Sequence, residues 1–230
     1  MRYKHGFLAF PFLFLLTACH DPTADFERIL TDYDFSRAVP PSTLYGPGSF
    51  VYRSKYTPSD TALRSVRLGY LCRPEYSIDR YDRKPLESAS DSFALSSKLS
   101  GTFDVGVPAL SKILDLNLKT NAAKSASITI SDVKVFAYAR DDLEIVRGLL
   151  GPVCQRIVAR NIKAGNAYQI EQVLQATVNV KIAIDAGASA NAKANIVKSL
   201  ASFGATAAYG DAVEMKGTAL FYGAKLYRLE

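Results

Sequence analysis

Apolar and polar positions alternate most strictly over residues 174–184, where Leu174, Ala176, Val178, Val180, Ile182 and Ile184 interleave with the mainly polar Gln175, Thr177, Asn179 and Lys181, and Asp185 follows. A period of two specifies a strand with one buried and one wet face. Residues 125–138 read the same way, but the apolar parity changes from Ile128 and Ile130 to Val133 and Val135. A one-residue slip would reverse the faces, so a β-bulge near Asp132 is expected. Residues 213–229 form a third long strand pattern, with Gly217 and Gly223 as expected bends. Residues 49–56 and 65–72 are shorter candidates, rich in Val, Tyr and Leu and separated by a Pro-Ser-Asp turn segment. Residues 73–91 are polar and irregular. Residues 91–107 are expected to be extended, because Phe93, Leu95, Leu99, Phe103 and Val105 fall at mostly even spacing.

Helical periodicity is clearest over residues 141–162. Leu143, Val146, Leu150, Val153, Ile157 and Val158 form the stripe, with Arg147, Arg156 and Arg160 largely outside it. Gly151-Pro152 divides the run and sets Pro152 at the start of a second segment. Residues 188–203 are Ala-rich and helical up to Gly204. Residues 108–116 predict a short helix, and residues 24–33 another, with Thr23 as N-cap and Phe26, Ile29 and Leu30 on one side. Pro40-Pro41 and Gly46-Pro47-Gly48 punctuate the entry to the main domain. Mostly strands with inserted helices predict an α+β fold: an antiparallel or mixed twisted sheet with two or three helices.

The N-terminus has a different logic. Arg2 and Lys4 precede an apolar stretch from residue 7 to residue 16, which ends in Leu16-Thr17-Ala18-Cys19. This order resembles a bacterial lipoprotein signal with its lipobox. The stretch is too short for a helix that needs about 20 residues to cross a bilayer. The lipobox implies a signal peptide over residues 1–18, cleavage before Cys19 and lipidation at Cys19. Residues 19–46 are then expected to be a lipidated tether containing the short helix, and residues 47–230 a single globular domain. With His20 rather than Asp after Cys19, the sorting pattern favours the periplasmic face of an outer membrane.

Composition narrows the chemistry. The formal charge of +6 falls to +4 once Arg2 and Lys4 leave with the signal, a mild excess without the basic runs of a nucleic-acid binder. Cys72 and Cys154 remain as a pair after lipidation of Cys19, and are a candidate disulfide in an oxidising compartment. His5 leaves with the signal and His20 lies in the tether, so the folded body contains no histidine. Ser-His-Asp and Cys-His catalysis and histidine zinc sites are therefore excluded, and no catalytic residue, metal ligand or cofactor is expected. Ser131-Asp132-Val133-Lys134 matches Ser-x-x-Lys, but on a strand positions i and i+3 point to opposite faces. Asp141-Asp142 is explained by a helix N-terminus, and Glu171 has no paired carboxylate in the sequence.

Between Tyr45 and Lys84, tyrosines interleave with Arg53, Lys55, Arg64, Arg67 and Arg73. Tyr and Arg are enriched where surfaces bind partners, and positive charge near an anchor can meet anionic head groups. These five side chains are the candidate surface for an envelope protein or anionic lipid.

Three stretches resemble the pore-forming domain of bacterial gasdermins: residues 123–133 (AKSASITISDV), 167–176 (AYQIEQVLQA) and 217–229 (GTALFYGAKLYRL). The resemblance covers residues 120–230. It implies a twisted sheet with helices and oligomeric membrane pores. That family acts from inside the cell, whereas the lipobox directs export, and a latent pore released by proteolysis of an inhibitory tail is not expected. The expectation is a non-enzymatic, lipid-anchored envelope protein with a binding or structural role. A gasdermin-like membrane-perturbing protein is the alternative, and a cell-envelope hydrolase working without histidine comes third.

Overall fold

The computed structural model describes residues 22–54, 67–74, 84–114 and 122–230. Cys19, Lys55 and Arg64 lie outside these residues. In chain order the elements are α1 (Pro22–Asp32), β1 (Ser36–Ser42), β2 (Phe50–Ser54), β3 (Arg67–Cys72), β4 (Leu86–Glu87), α2 (Ala89–Leu99), β5 (Gly101–Val105), α3 (Val107–Leu114) and β6 (Ala123–Ala137). There follow α4 (Arg140–Gly148), α5 (Pro152–Lys163), β7 (Tyr168–Ile184), α6 (Ala190–Ala201), β8 (Ala205–Tyr209) and β9 (Ala212–Arg228). The class is α+β, as the patterning predicts. Among the described residues the helices number six rather than two or three.

All nine described strands join one sheet. Its spine is β6–β7–β9, antiparallel throughout, with strands of 15, 17 and 17 residues. At one end β5 extends the spine beyond β6 and β8 beyond β9, forming an open wing. At the other end β7 also pairs with β2, β2 with β3, β3 with β1 and β1 with β9. Those pairings close a ring of five strands, β7–β2–β3–β1–β9. The β1–β3 pairing is parallel, so the sheet is mixed.

Bulges decide which face is which. Ser131 faces Thr177 but Lys134 faces Gln175, so β6 carries one extra residue there. Asp132, at φ 51°, absorbs it. The expected bulge is present, and Ile128, Ile130, Val133 and Val135 all stay buried on one side. Further shifts fall on β7 between Ile170 and Gln172, and on β9 opposite Leu174–Gln175 and Ala176–Val178. The last contains Ala219 at φ 54°. The β9 irregularities thus lie beside Gly223 and Gly217, the expected bends. Gly223 also packs closely: a Cβ there would lie 3.2 Å from Phe35 Cβ and 3.3 Å from Leu30 Cδ2, so both neighbours would have to give by a few tenths of an ångström.

The main core lies between the apolar face of the wing and α1, α2, α3 and α6, with Leu95, Leu110, Leu114, Val178, Ile182, Leu200 and Met215 fully buried. A second cluster fills the ring: Ala38, Tyr45, Val51, Leu68, Ile170, Val173, Phe221 and Ala224. Tyr45 donates its hydroxyl to Leu68 O at 2.8 Å across this interior. A third cluster, with Phe50, Leu150, Val158 and Leu229, seats α5 on the outside of the ring.

Three expectations are corrected. Residues 22–46 are not a tether. Phe26, Leu30 and Phe35 are in the main core, and β1 is a member of the ring. α1 also begins at Pro22, so Thr23 lies inside the helix rather than at its cap. Residues 91–107 are not one extended run, because α2 occupies residues 89–99. Leu95 and Leu99 satisfy i, i+4 as well as even spacing, and both are buried while Phe93 is 79% exposed. Ser92 on α2 is buried and accepts the Val135 backbone N–H at 2.9 Å, holding helix to sheet.

Two links, each with one buried end, tie distant segments together. Arg37, on β1 and only 5% exposed, pairs with Glu27 of α1 at 2.5 Å. It also donates to the carbonyls of Lys112 and, at 2.7 Å, Ile113. Those are carbonyls of the last turn of α3, where the helix dipole favours a cation. The second link is the Cys72–Cys154 disulfide, with a Cα–Cα distance of 5.8 Å, joining the end of β3 to α5.

Two outcomes are expected. Arg37→Met should lower stability by about 3–5 kcal/mol, because it leaves the partly buried Glu27 carboxylate unpaired and uncaps α3; urea denaturation reads this directly. Replacing Cys72 and Cys154 together by Ser should cost about 2–4 kcal/mol in the same assay. Non-reducing peptide mapping should recover the bridged peptide from the wild-type protein.

Candidate functional site

α1, α2 and α3 cover the wing incompletely. Between them and β5–β6 lies a cavity of about 250 Å³, walled by Phe26, Ile29, Leu99, Phe103, Val105 and Ile128. Each wall follows from local sequence. α1 turns Phe26 and Ile29 inward, α2 turns Leu99, and β5 contributes Phe103 and Val105 through its two-residue alternation. Asp25, Arg28 and Lys98 also line it. Arg28 is largely exposed and pairs with Asp25 at 2.8 Å, and Lys98 lies over the Tyr33 ring at 4.8 Å. A dry apolar cavity of about 150 Å³ already admits benzene, so this recess can take a short stretch of alkyl chain with its polar end near the two cations.

Tyr222 lies beneath α1, edge-on to Phe26 at 6.4 Å. Its hydroxyl is buried without a hydrogen-bond partner among the described residues, and burial pushes the phenol far above its usual range.

The sequence-selected residues fall in several places. Arg53 stacks over Tyr168 at 4.7 Å, and its backbone N–H and C=O bond to the Asn166 side chain. Arg73 follows β3, and its charge partly lowers a Tyr70 phenol that burial raises. Arg53 faces Leu68, whereas Arg73 follows Cys72, which faces Phe50. The two arginines are therefore offset by about five residues, roughly 16 Å along the ladder, and do not share one spot. Arg67 belongs to β3 by its backbone; its side chain lies outside the described residues. The bulge puts Ser131 and Lys134 on the same face of β6, away from the main core, which corrects the expectation of opposite faces; Lys134 is engaged with Glu87 at 3.2 Å. Asp141 and Asp142 occupy the first turn of α4. Among the described residues, no three His, Cys, Asp or Glu side chains converge on a metal position.

One cluster carries no sequence signal. Gln169 on β7 is fully buried, receives Arg147 at 3.2 Å and donates to Leu143 O at 3.2 Å. Arg140 and Arg147 flank the Tyr227 ring at 5.3 and 5.6 Å. This set docks α4 on the ring. The sequence offers only a polar residue beside the apolar Ile170, which periodicity alone does not mark.

No family model matches the sequence, and no curated protein does. Among solved structures, a bacterial gasdermin from Bradyrhizobium tropiciagri aligns over 86% of this chain and 83% of that chain, with 12% identity and a TM-score of 0.37. Similarity at that level does not place the two chains in one family.

Tyr222→Phe removes a buried hydroxyl that has no partner among the described residues. Its expected effect on stability, read from the urea midpoint, is nil or a gain of about 1 kcal/mol.

Proposed function

We propose that this is a non-enzymatic protein, exported and lipid-anchored at Cys19, that acts on membranes by presenting β-strands to a bilayer. The observation that supports this reading is the spine. β6, β7 and β9 are neighbours, antiparallel, 15 to 17 residues long, and apolar on one side of the wing. A membrane-spanning strand needs about 9–11 residues, apolar toward lipid and polar toward the lumen. Each spine strand exceeds that length.

Their apolar faces now lie under α1, α2, α3 and α6. Insertion therefore requires the helices to swing away, and lipid then covers what the helices covered. The loss of main-core burial is offset by burial against acyl chains, since both environments are apolar. The alkyl-sized recess beneath α1 gives lipid a place to enter between helix and sheet. Among the described residues no helix is long and apolar enough to cross a membrane, so the strands carry this proposal. Lipid at Cys19, three residues before α1, would keep the domain within reach of the surface. Contact through the domain would add a second attachment to the one made by the lipid at Cys19.

Two measurements test this. Metabolic labelling with an azido fatty acid is expected to mark the wild-type protein and not Cys19→Ser. The protein purified from His20 onward, free of leader and lipid, is expected to release trapped dye from anionic liposomes in a dose-dependent way. Complete retention of dye at every dose would leave a passive envelope-binding protein as the reading.

A further inference from the structure

α5 has the sequence PVCQRIVARNIK, with no acidic residue. Cys154 and Val158 turn toward the ring and are buried. At 3.6 residues per turn, Arg156, Arg160 and Lys163 fall within about 60° of one another on the opposite side. All three are exposed, and Val153 beside them is 59% exposed. The helix also spans the gap between two arginines selected from the sequence. Cys154, near its start, is bridged to Cys72, which Arg73 follows. Asn166, just past its end, holds the Arg53 backbone. From Cys154 to Lys163 the helix covers about 14 Å, close to the offset between Arg73 and Arg53. Arg228 closes the same end: it faces Tyr168 across β7 and β9, and its Nη2 would lie 3.6 Å from a Cβ at Gly165. Arg53, Arg73, Arg156, Arg160, Lys163 and Arg228 thus form one exposed basic face. Among the described residues none of the six forms an ion pair. The acids that flank α5 in the chain are placed elsewhere: Glu144 pairs with Arg147 at 3.2 Å, and Glu171 lies half-buried on β7. Glu230, two residues beyond Arg228, is one acid at the edge of six cations.

We propose that this face docks the ring end of the domain on a bilayer surface rich in anionic phospholipid head groups. Sign and shape select that occupant. The excess of cations demands an anion. They are spread along an exposed helix rather than gathered around one point, so a single phosphate could engage only one or two of them. A plane of head groups meets the whole row, and each cation held near such a surface adds about fivefold in affinity. Val153 favours a bilayer over a soluble polyanion, because only a bilayer has an apolar interior beneath its charges. The arginine and lysine stems lie along that boundary while their heads reach the phosphates. This assignment rests on the reading of a protein that works at membranes. It gives first contact to the ring end, which leaves the wing free.

Vesicle flotation of the protein purified from His20 onward tests this, with phosphatidylcholine alone and with about one-third phosphatidylglycerol. Binding to the anionic vesicles only is expected. Combined Arg156→Gln, Arg160→Gln and Lys163→Gln substitution should lower the partition coefficient at least about tenfold, with the melting curve unchanged. Removing three cations from the wing and α6 instead, by Lys124→Gln, Lys198→Gln and Lys216→Gln, should lower it less than about threefold. No binding to anionic vesicles, equal binding to neutral ones, or no loss in the α5 variant would overturn the proposal. Equal losses in the two triple variants would do so as well, because net charge would then account for the attraction. So would capture by heparin without capture by vesicles, which would assign the face to a soluble polyanion. If the α5 variant melts early, Arg53→Gln with Arg73→Gln replaces it and is read the same way. Vesicle binding without dye release would uphold this face and end the insertion reading. Dye release with binding undiminished in the α5 variant would do the reverse.

Discussion

The spine strands must keep one face apolar over 15 to 17 residues while the sheet twists and, at one end, curls shut. Strict alternation cannot survive that bending, because coiling strands need extra residues at their corners. The irregularities at Asp132 on β6, between Ile170 and Gln172 on β7, and near Ala219 and Tyr222 on β9 supply them. Without each inserted residue, everything beyond it would exchange sides. With them in place, Leu174 faces the helices while Val173 beside it faces the ring interior. The same sheet face is therefore wet in the wing and enclosed in the ring. The opposite face meets helices at both ends.

This division explains why the segment before β2 belongs to the fold. β1 supplies a ring wall through Ala38 and, on its other side, sends Arg37 under α1 and α3. A buried guanidinium is costly unless fully engaged. Here it has a carboxylate and two helix carbonyls, so its position fixes three elements at once. The disulfide works on the outer side, where Cys154 sits in the small cluster between α5 and the ring. The main core rests on extensive apolar burial, whereas the ring interior is small and relies more on such links.

Local patterns are legible where one periodicity dominates. β7, the bulge on β6 and the division of α4 from α5 at Gly151-Pro152 all follow from residue spacing. α2 is ambiguous because Leu95 and Leu99 fit both periods, and only burial of Ser92 against β6 separates them. β1 is hidden by Pro40-Pro41, which a ladder tolerates here because its pairing with β9 is interrupted between Arg37 and Ser42. β8 is short and Ala-rich, with no strong pattern. The cavity beneath α1 is assembled from elements far apart in the chain, so no single stretch announces it.

The place of β1 has a kinetic consequence. It lies between β3 and β9, with Ser36 opposite Ala224, so some of the earliest described residues are flanked by some of the last. Such pairings lose much chain entropy before they gain any contact, which slows folding. The ring cannot be completed as the chain emerges, residue by residue, from its N-terminus. Until β9 arrives, β1 is an edge strand without its main partner, and the nascent molecule is exposed to mispairing for most of its synthesis.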